Sequence, residues 1–284
     1  MKHKRVNSIV LAIFLAGIAL LISCGTGSND TLDVSVINVY EQVRSDAASG
    51  YIDKAKANWM KAIMNANTSE KLSEDLIQTI ENHDILLTSL PCFILPDELS
   101  SENIFDFCDS FCWMFYDICW DDYTKPMCFD DYYPNPLNFY PAEVVTLGNH
   151  GPLFLMEKQT VEKMASEVFG FQKFALDERA LVERRDSICK YHADYKDFLR
   201  NNNAFYYISH DPDPPALIYK SERSLGDGLF YIVFEQGWFY DGEEPCKLQD
   251  LHLVIRVADN FFGYEVVSVL QNGEGSLLQT EDYC

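Results

Sequence analysis

Residues able to do chemistry gather most densely between Trp113 and Tyr133, where Trp113, Tyr116, Trp120 and Tyr123 are interleaved with Asp121 and Asp122, then Asp130, Asp131, Tyr132 and Tyr133. Aromatic faces close to carboxylates suit sugar rings, which stack on the aromatic and hydrogen-bond to the acid. They also suit cationic ligands held by ring quadrupoles and negative charge. Trp120, Asp121, Asp122, Tyr123, Asp130, Asp131 and Tyr132 are therefore the candidate ligand-binding residues. The plainer alternative puts Trp113 and Trp120 in the core and leaves the acids to solvate a loop. A second acidic run, His210-Asp211-Pro212-Asp213-Pro214-Pro215, offers alternate carboxylates stiffened by proline, as a Ca²⁺ site or as a rigid exposed turn. The general abundance of acids admits a glycoside hydrolase working with one acid and one base or nucleophile. Asp121, Asp122, Glu235 and Glu243 are candidates for those roles, and their spacing does not rank them.

Local catalytic motifs are missing: the chain has no GxSxG, HExxH, Walker A loop, GxGxxG or EF-hand spacing, and its histidines (His3, His83, His150, His192, His210, His252) sit in no recognisable motif. Cysteines are numerous. Cys108, Cys112, Cys119 and Cys128 follow one another without a CxxC pair or a histidine, so the zinc-ribbon pattern is absent, and Cys189 with His192 makes only one ligand pair. No cofactor and no metal is expected. With 22 Lys and Arg against 44 Asp and Glu, a formal charge of -22, nucleic acid is excluded as a partner, because it requires a cationic surface. A hydrophobic fraction of 48% over 284 residues is ample for a folded core.

The N-terminus reads as an address. Lys2, Lys4 and Arg5 precede an uncharged, almost wholly apolar run from Ile9 to Ile22, shorter than the roughly 20 residues a membrane-spanning helix needs. The run ends in Leu21-Ile22-Ser23-Cys24, which resembles the lipobox of bacterial lipoproteins. That resemblance implies a signal peptide over residues 1–23, cleavage before Cys24, and a diacylglyceryl group on the Cys24 sulfur with an acyl chain such as palmitate on its amine. Two or more chains at about 0.8 kcal/mol per buried methylene make a stable membrane anchor. An ordinary secretory signal, or an uncleaved anchor, is the alternative. The expected location is the extracytoplasmic face of a cell membrane, with inner and outer membrane left open.

Residues 24–33 would be a small, polar tether. Setting Cys24 aside leaves an even number of cysteines in an exported chain: Cys92, Cys108, Cys112, Cys119, Cys128, Cys189, Cys246 and Cys284. They are the candidates for up to four disulfides. Cys108 and Cys112, one helical turn apart, bridge each other poorly and each seeks a partner elsewhere.

The elements that must position these groups divide the chain in two. Residues 34–155 read as a helical region: 35–48, 52–66, 70–83 and 101–120 carry apolar residues at helical spacing, followed by a long, proline-rich irregular connection. Residues 156–284 read as an α+β region, with a helix ending at Gly170, another starting near Asp177, and strands at 204–209, 216–221, 229–240, 251–258 and 264–270. Asp227-Gly228, Asp241-Gly242 and Asn260 to Gly263 punctuate the strands as antiparallel hairpins. The expected fold class is thus α+β: N-terminal helices, then a C-terminal antiparallel meander packed on helices and stapled by disulfides, Cys246 to Cys284 among them.

Glu167-Val168-Phe169-Gly170 followed by strands ending in Gly263-Tyr264-Glu265-Val266-Val267-Ser268-Val269 resembles the cystatin-like and NTF2-like units of bacterial lipoproteins, over residues 156–272. The resemblance implies a fold and no catalytic residue. Together these observations point to a lipid-anchored, acidic, extracytoplasmic module that binds an envelope protein, a glycan or a cationic ligand without catalysis. A glycosidase-like hydrolase is the alternative.

Overall fold

The computed structural model describes residues 36–118, 126–128, 135–145, 153–171, 174–191, 193–199, 204–208, 216–238, 246–272 and 275–278. Cys24 and its lipobox, Trp120 to Tyr123, Asp130 to Tyr133, His210 to Pro215, Glu243 and Cys284 lie outside these residues.

Among the described residues two helices come first, α1 (Val36–Ala48) and α2 (Ile52–Asn65), as the apolar spacing requires. Gly50, at φ 89°, takes the left-handed conformation of the turn between them. Tyr40 and Val43 of α1 and Ala55, Trp59, Met60 and Ile63 of α2 are buried. A short helix α3 (Glu74–Asn82) begins where Ser73 accepts a hydrogen bond from the Leu76 amide, and α4 (Asp84–Thr88) follows.

The capping box of Ser100 and Asn103 starts α5 (Ser101–Phe115), whose buried face is Ile104, Phe105, Phe107, Cys108, Phe111, Cys112 and Phe115. This helix stops five residues earlier than its apolar pattern suggests. Tyr116 is extended and opens β1 (Tyr116–Ile118), which pairs with β2 (Pro126–Cys128). Aromatic and β-branched residues accept the pleat readily, and the Tyr116 hydroxyl donates to the Tyr140 carbonyl.

The connection expected to be irregular carries further strands, β3 (Glu143–Val145) and β4 (Leu153–Glu157). Next come α6 (Lys158–Phe169), α7 (Glu178–Tyr191), α8 (Lys196–Leu199) and β5 (Ala204–Ile208). Asp177 caps α7 by accepting from the Arg179 amide at 2.9 Å. β5 does not begin the meander. It pairs with β4, giving a three-stranded sheet in the order β3-β4-β5. Leu153 and Leu155 face a small cluster with Ile188, Tyr195 and Leu199, while Phe154 and Met156 face the main core. A strand buried on both faces shows a continuous apolar run instead of alternation, which hides it from a period-two reading.

The meander itself comprises β6 (Ala216–Gly226), β7 (Leu229–Trp238), β8 (Cys246–Val257), β9 (Tyr264–Asn272) and β10 (Gly275–Ser276), antiparallel in sequential order. Asp227 and Gly228, with φ of 55° and 75°, make the two-residue β6–β7 turn that the sequence announces. Helices pack on both faces of this sheet. Ile232, Phe234, Leu251, Leu253, Ile255 and Val266 pack under α5 and α6, and Leu229, Val254, Val267 and Leu270 pack under α1 and α2. The helical and strand-rich regions therefore share their cores, and Ser35–Cys284 is one compact unit. N-terminal segments also close the sheet's margins: Thr68 pairs with Ser224 of β6, and Phe93 exchanges two backbone hydrogen bonds with Val269 of β9.

The disulfide expectation is corrected at four positions: Cys92, Cys108, Cys112 and Cys189 are free thiols. Cys108 and Cys112 lie on the buried face of α5, each in contact with a methionine sulfur, and as residues one helical turn apart they bridge each other poorly. Cys119 and Cys284, and the side chains of Cys128 and Cys246, lie outside the described residues.

Candidate polar site on the sheet face

α1 and α2 cover only one end of their face of the meander. Two residues beyond buried Val254, the same edge of β8 presents His252 and then Asp250, because alternate residues of a strand share a face. Across the ladder Glu235 of β7 stands opposite Asp250, and Tyr231 lies diagonally from His252. On β6 the register slips between Tyr219 and Ser221, leaving Lys220 as a bulge residue.

The bulge lets Lys220 reach over β7: its Nζ lies 2.9 Å from Asp250 Oδ1 and 3.5 Å from Glu235 Oε2. His252 Nε2 is 3.9 Å from the other Asp250 oxygen, and its Nδ1 is 2.5 Å from the Tyr231 hydroxyl. Arg223, opposite Tyr231, sets its guanidinium 5.2 Å from the Tyr231 ring centre and donates to the Ile63 and Met64 carbonyls at the end of α2. The side chains of Lys220, Glu235 and Asp250 are 41%, 37% and 36% exposed, against 15% for His252. A continuous strip of Tyr, His, carboxylate and ammonium thus lies open beside the apolar helical cover.

Burial lowers the His252 pKa, partly offset by the Asp250 charge, so the ring is neutral near pH 7. With the Tyr231 hydroxyl donating to Nδ1, the Nε2–H faces Asp250. Lys220 is held protonated by its hydrogen bond to Asp250. The strip therefore offers hydrogen-bond donors and acceptors side by side, with charges largely compensated.

Of the residues singled out from sequence, Glu235 is the one the structure places here. Trp113 packs against the main core and Tyr116 lies within it. The remaining aromatic and acidic candidates lie outside the described residues. Lys220, Tyr231, Asp250 and His252 had no sequence signal of their own, although alternate positions on adjoining strands could have grouped His252 with Asp250. His83, the other described histidine, is in the core: its Nδ1 is 2.9 Å from the Tyr264 hydroxyl and burial lowers its pKa to about 3. On α5, Asp109 is pushed up to about 7 by burial despite its pairing with Arg184.

Among the described residues no group of three or more His, Cys, Asp or Glu side chains is arranged to hold a metal ion, and no helix is long and apolar enough to cross a membrane. No protein-family model matches the chain, and neither a curated protein nor a solved structure shows significant similarity to it.

Proposed function

We propose that this chain is a lipid-anchored extracytoplasmic binding module, attached through Cys24, that recognises a hydroxyl-rich ligand such as an envelope glycan along the Lys220–His252 strip. The observation that carries the binding part is the mutual pairing of Lys220 with both Asp250 and Glu235 on an open sheet face. Such a face supplies fixed donors and acceptors for ligand hydroxyls, with Tyr231 as an adjoining aromatic edge. A hydrolase would need one carboxyl kept apart from cations to carry a proton, and both described acids of the strip touch the same ammonium. The lipid anchor rests on the sequence of residues 1–24 alone, and the cystatin-like or NTF2-like reading of 156–272 rests on α6 preceding an antiparallel meander. The disulfide staple is now proposed for Cys119, Cys128, Cys246 and Cys284 alone.

Two measurements test the proposal separately. Intact mass of the protein recovered from membranes should show an N-terminal Cys24 carrying acyl chains, lost in Cys24→Ala; an unmodified N-terminus refutes the anchor. A thermal-shift screen of the mature chain against envelope glycans, polyamines and cationic peptides should return a glycan hit that Lys220→Ala abolishes. A ligand at 100 times its dissociation constant adds about 2.7 kcal/mol to stability, which such a screen resolves. A hit unaffected by substitutions in the strip places binding elsewhere.

A further inference from the structure

Two thiol–thioether pairs lie inside the main core where three elements converge. Cys108 and Cys112 come from successive turns of α5, Met164 from α6 and Met156 from β4, and all four residues are fully buried. Cys108 Sγ lies 4.0 Å from Met164 Sδ, and Cys112 Sγ lies 3.9 Å from Met156 Sδ. Residues four apart on a helix hold their Cβ atoms about 5–6 Å from one another, so the two thiols are neighbours as well. Two sulfur ligands each about 2.3 Å from one metal ion, at a trigonal angle, stand about 4.0 Å apart. Each thiol stands at about that span from one methionine sulfur.

Ligand chemistry narrows the occupant. Thioethers are soft donors that hard cations and Zn²⁺ use little, whereas thiolate and thioether together favour Cu(I). We infer that Cys108, Cys112, Met156 and Met164 form a buried site for a single soft monovalent cation, Cu(I), with the cysteines as primary ligands and one or both methionines completing the shell. Binding releases two thiol protons to solvent as two Cu–S bonds form, with no change of oxidation state: Cu⁺ and two thiols give a bis-thiolate anion and two H⁺. Burial holds both free thiols well above the ordinary range, so without metal they stay protonated and act as core residues. This site is separate from the sheet-face strip and does not depend on it.

The test uses the full chain in detergent, with thiols reduced, titrated anaerobically with Cu(I) against a chromophoric competitor, and with Ag(I) as a redox-inert probe. Cys108→Ala/Cys112→Ala should lower the tight Cu(I) stoichiometry by one and weaken what remains at that site about 100-fold. Cys92→Ser/Cys189→Ser should leave the site intact, and Zn²⁺ should not compete. Met156→Leu and Met164→Leu conserve volume, so they keep the fold and decide the matter even where the double alanine variant unfolds. At least one should weaken Cu(I) by about 10-fold while leaving the metal-free melting temperature near wild type. Unchanged stoichiometry in a folded double alanine variant, or wild-type affinity in both leucine variants, overturns the inference.

Discussion

One face of the five-stranded sheet carries two unlike halves. Under α1 and α2, Leu229, Val254, Val267 and Leu270 are buried, and a polar thread runs from Trp59 Nε1 to the Ser268 hydroxyl and on to the Ile94 carbonyl. Beyond the helices, the same strands present Lys220, Glu235 and Asp250 to water, with His252 more buried beside them. Both halves belong to the same strands, and the side chains at alternate positions, together with the bulge at Lys220, distinguish them. The covered half binds the helical hairpin to the sheet and contributes to stability, whereas the open half, with its charges exposed and paired, contributes little to stability and is free to recognise a ligand.

The sharpest way to break this division is Trp59→Ala. Removing a fully buried indole and leaving Ser268 without its donor should cost about 3–5 kcal/mol, read as a lower urea midpoint. A cost no greater than that of substitutions in the open half would erase the distinction.

The two His–Tyr pairs sharpen it next. His83, enclosed by Phe115, Phe262 and Tyr264, has its pKa lowered to about 3 in the folded state against 6.5 for the free ring. Between those values the unfolded chain binds the extra proton, so the His83 contribution is complete above pH 6.5 and is lost as pH falls. Between pH 6.5 and 4.5 the loss amounts to roughly 2 kcal/mol. The difference in unfolding free energy between wild type and His83→Phe should change by that amount across the range, since Asp84 and Asp109, both raised by burial, contribute equally to the two proteins. His252, lowered by burial but opposed by Asp250, should show a smaller effect of the same sign. Asp109, with its carboxyl raised to about 7, slopes the other way, favouring the fold at low pH and losing that contribution as pH rises toward 7.

A smaller effect concerns the attachment of α6. Gly170 ends that helix at φ 61°, and an added Cβ would lie 2.8 Å from Glu265 Oε2, the carboxylate that pairs with Arg256. Gly170→Ala should destabilise by about 1–2 kcal/mol, measured by urea denaturation. Lys220→Ala, in the exposed strip, should leave the urea midpoint close to wild type while abolishing ligand binding.

Much of this architecture is written locally. The hairpin helices follow from Tyr40, Val43, Trp59 and Ile63 at helical spacing, the α6 stop from Gly170, and the β6–β7 turn from Asp227-Gly228. β4 is not legible because burial on both faces removes the alternation that marks a strand. The strip escapes notice because a β-bulge turns Lys220 toward acids one and two strands away. The sulfur cluster escapes for a related reason: cysteine spacing is visible in the chain, but its methionine half comes from other elements, 44 and 56 residues away.

The most direct test of the binding account is an NMR titration of the ¹⁵N-labelled mature chain with envelope glycan fragments. The expected result is a set of saturable shift changes centred on Lys220, Tyr231, Glu235, Asp250 and His252, absent in Lys220→Ala. Saturable changes centred elsewhere, or none at millimolar glycan, would contradict it.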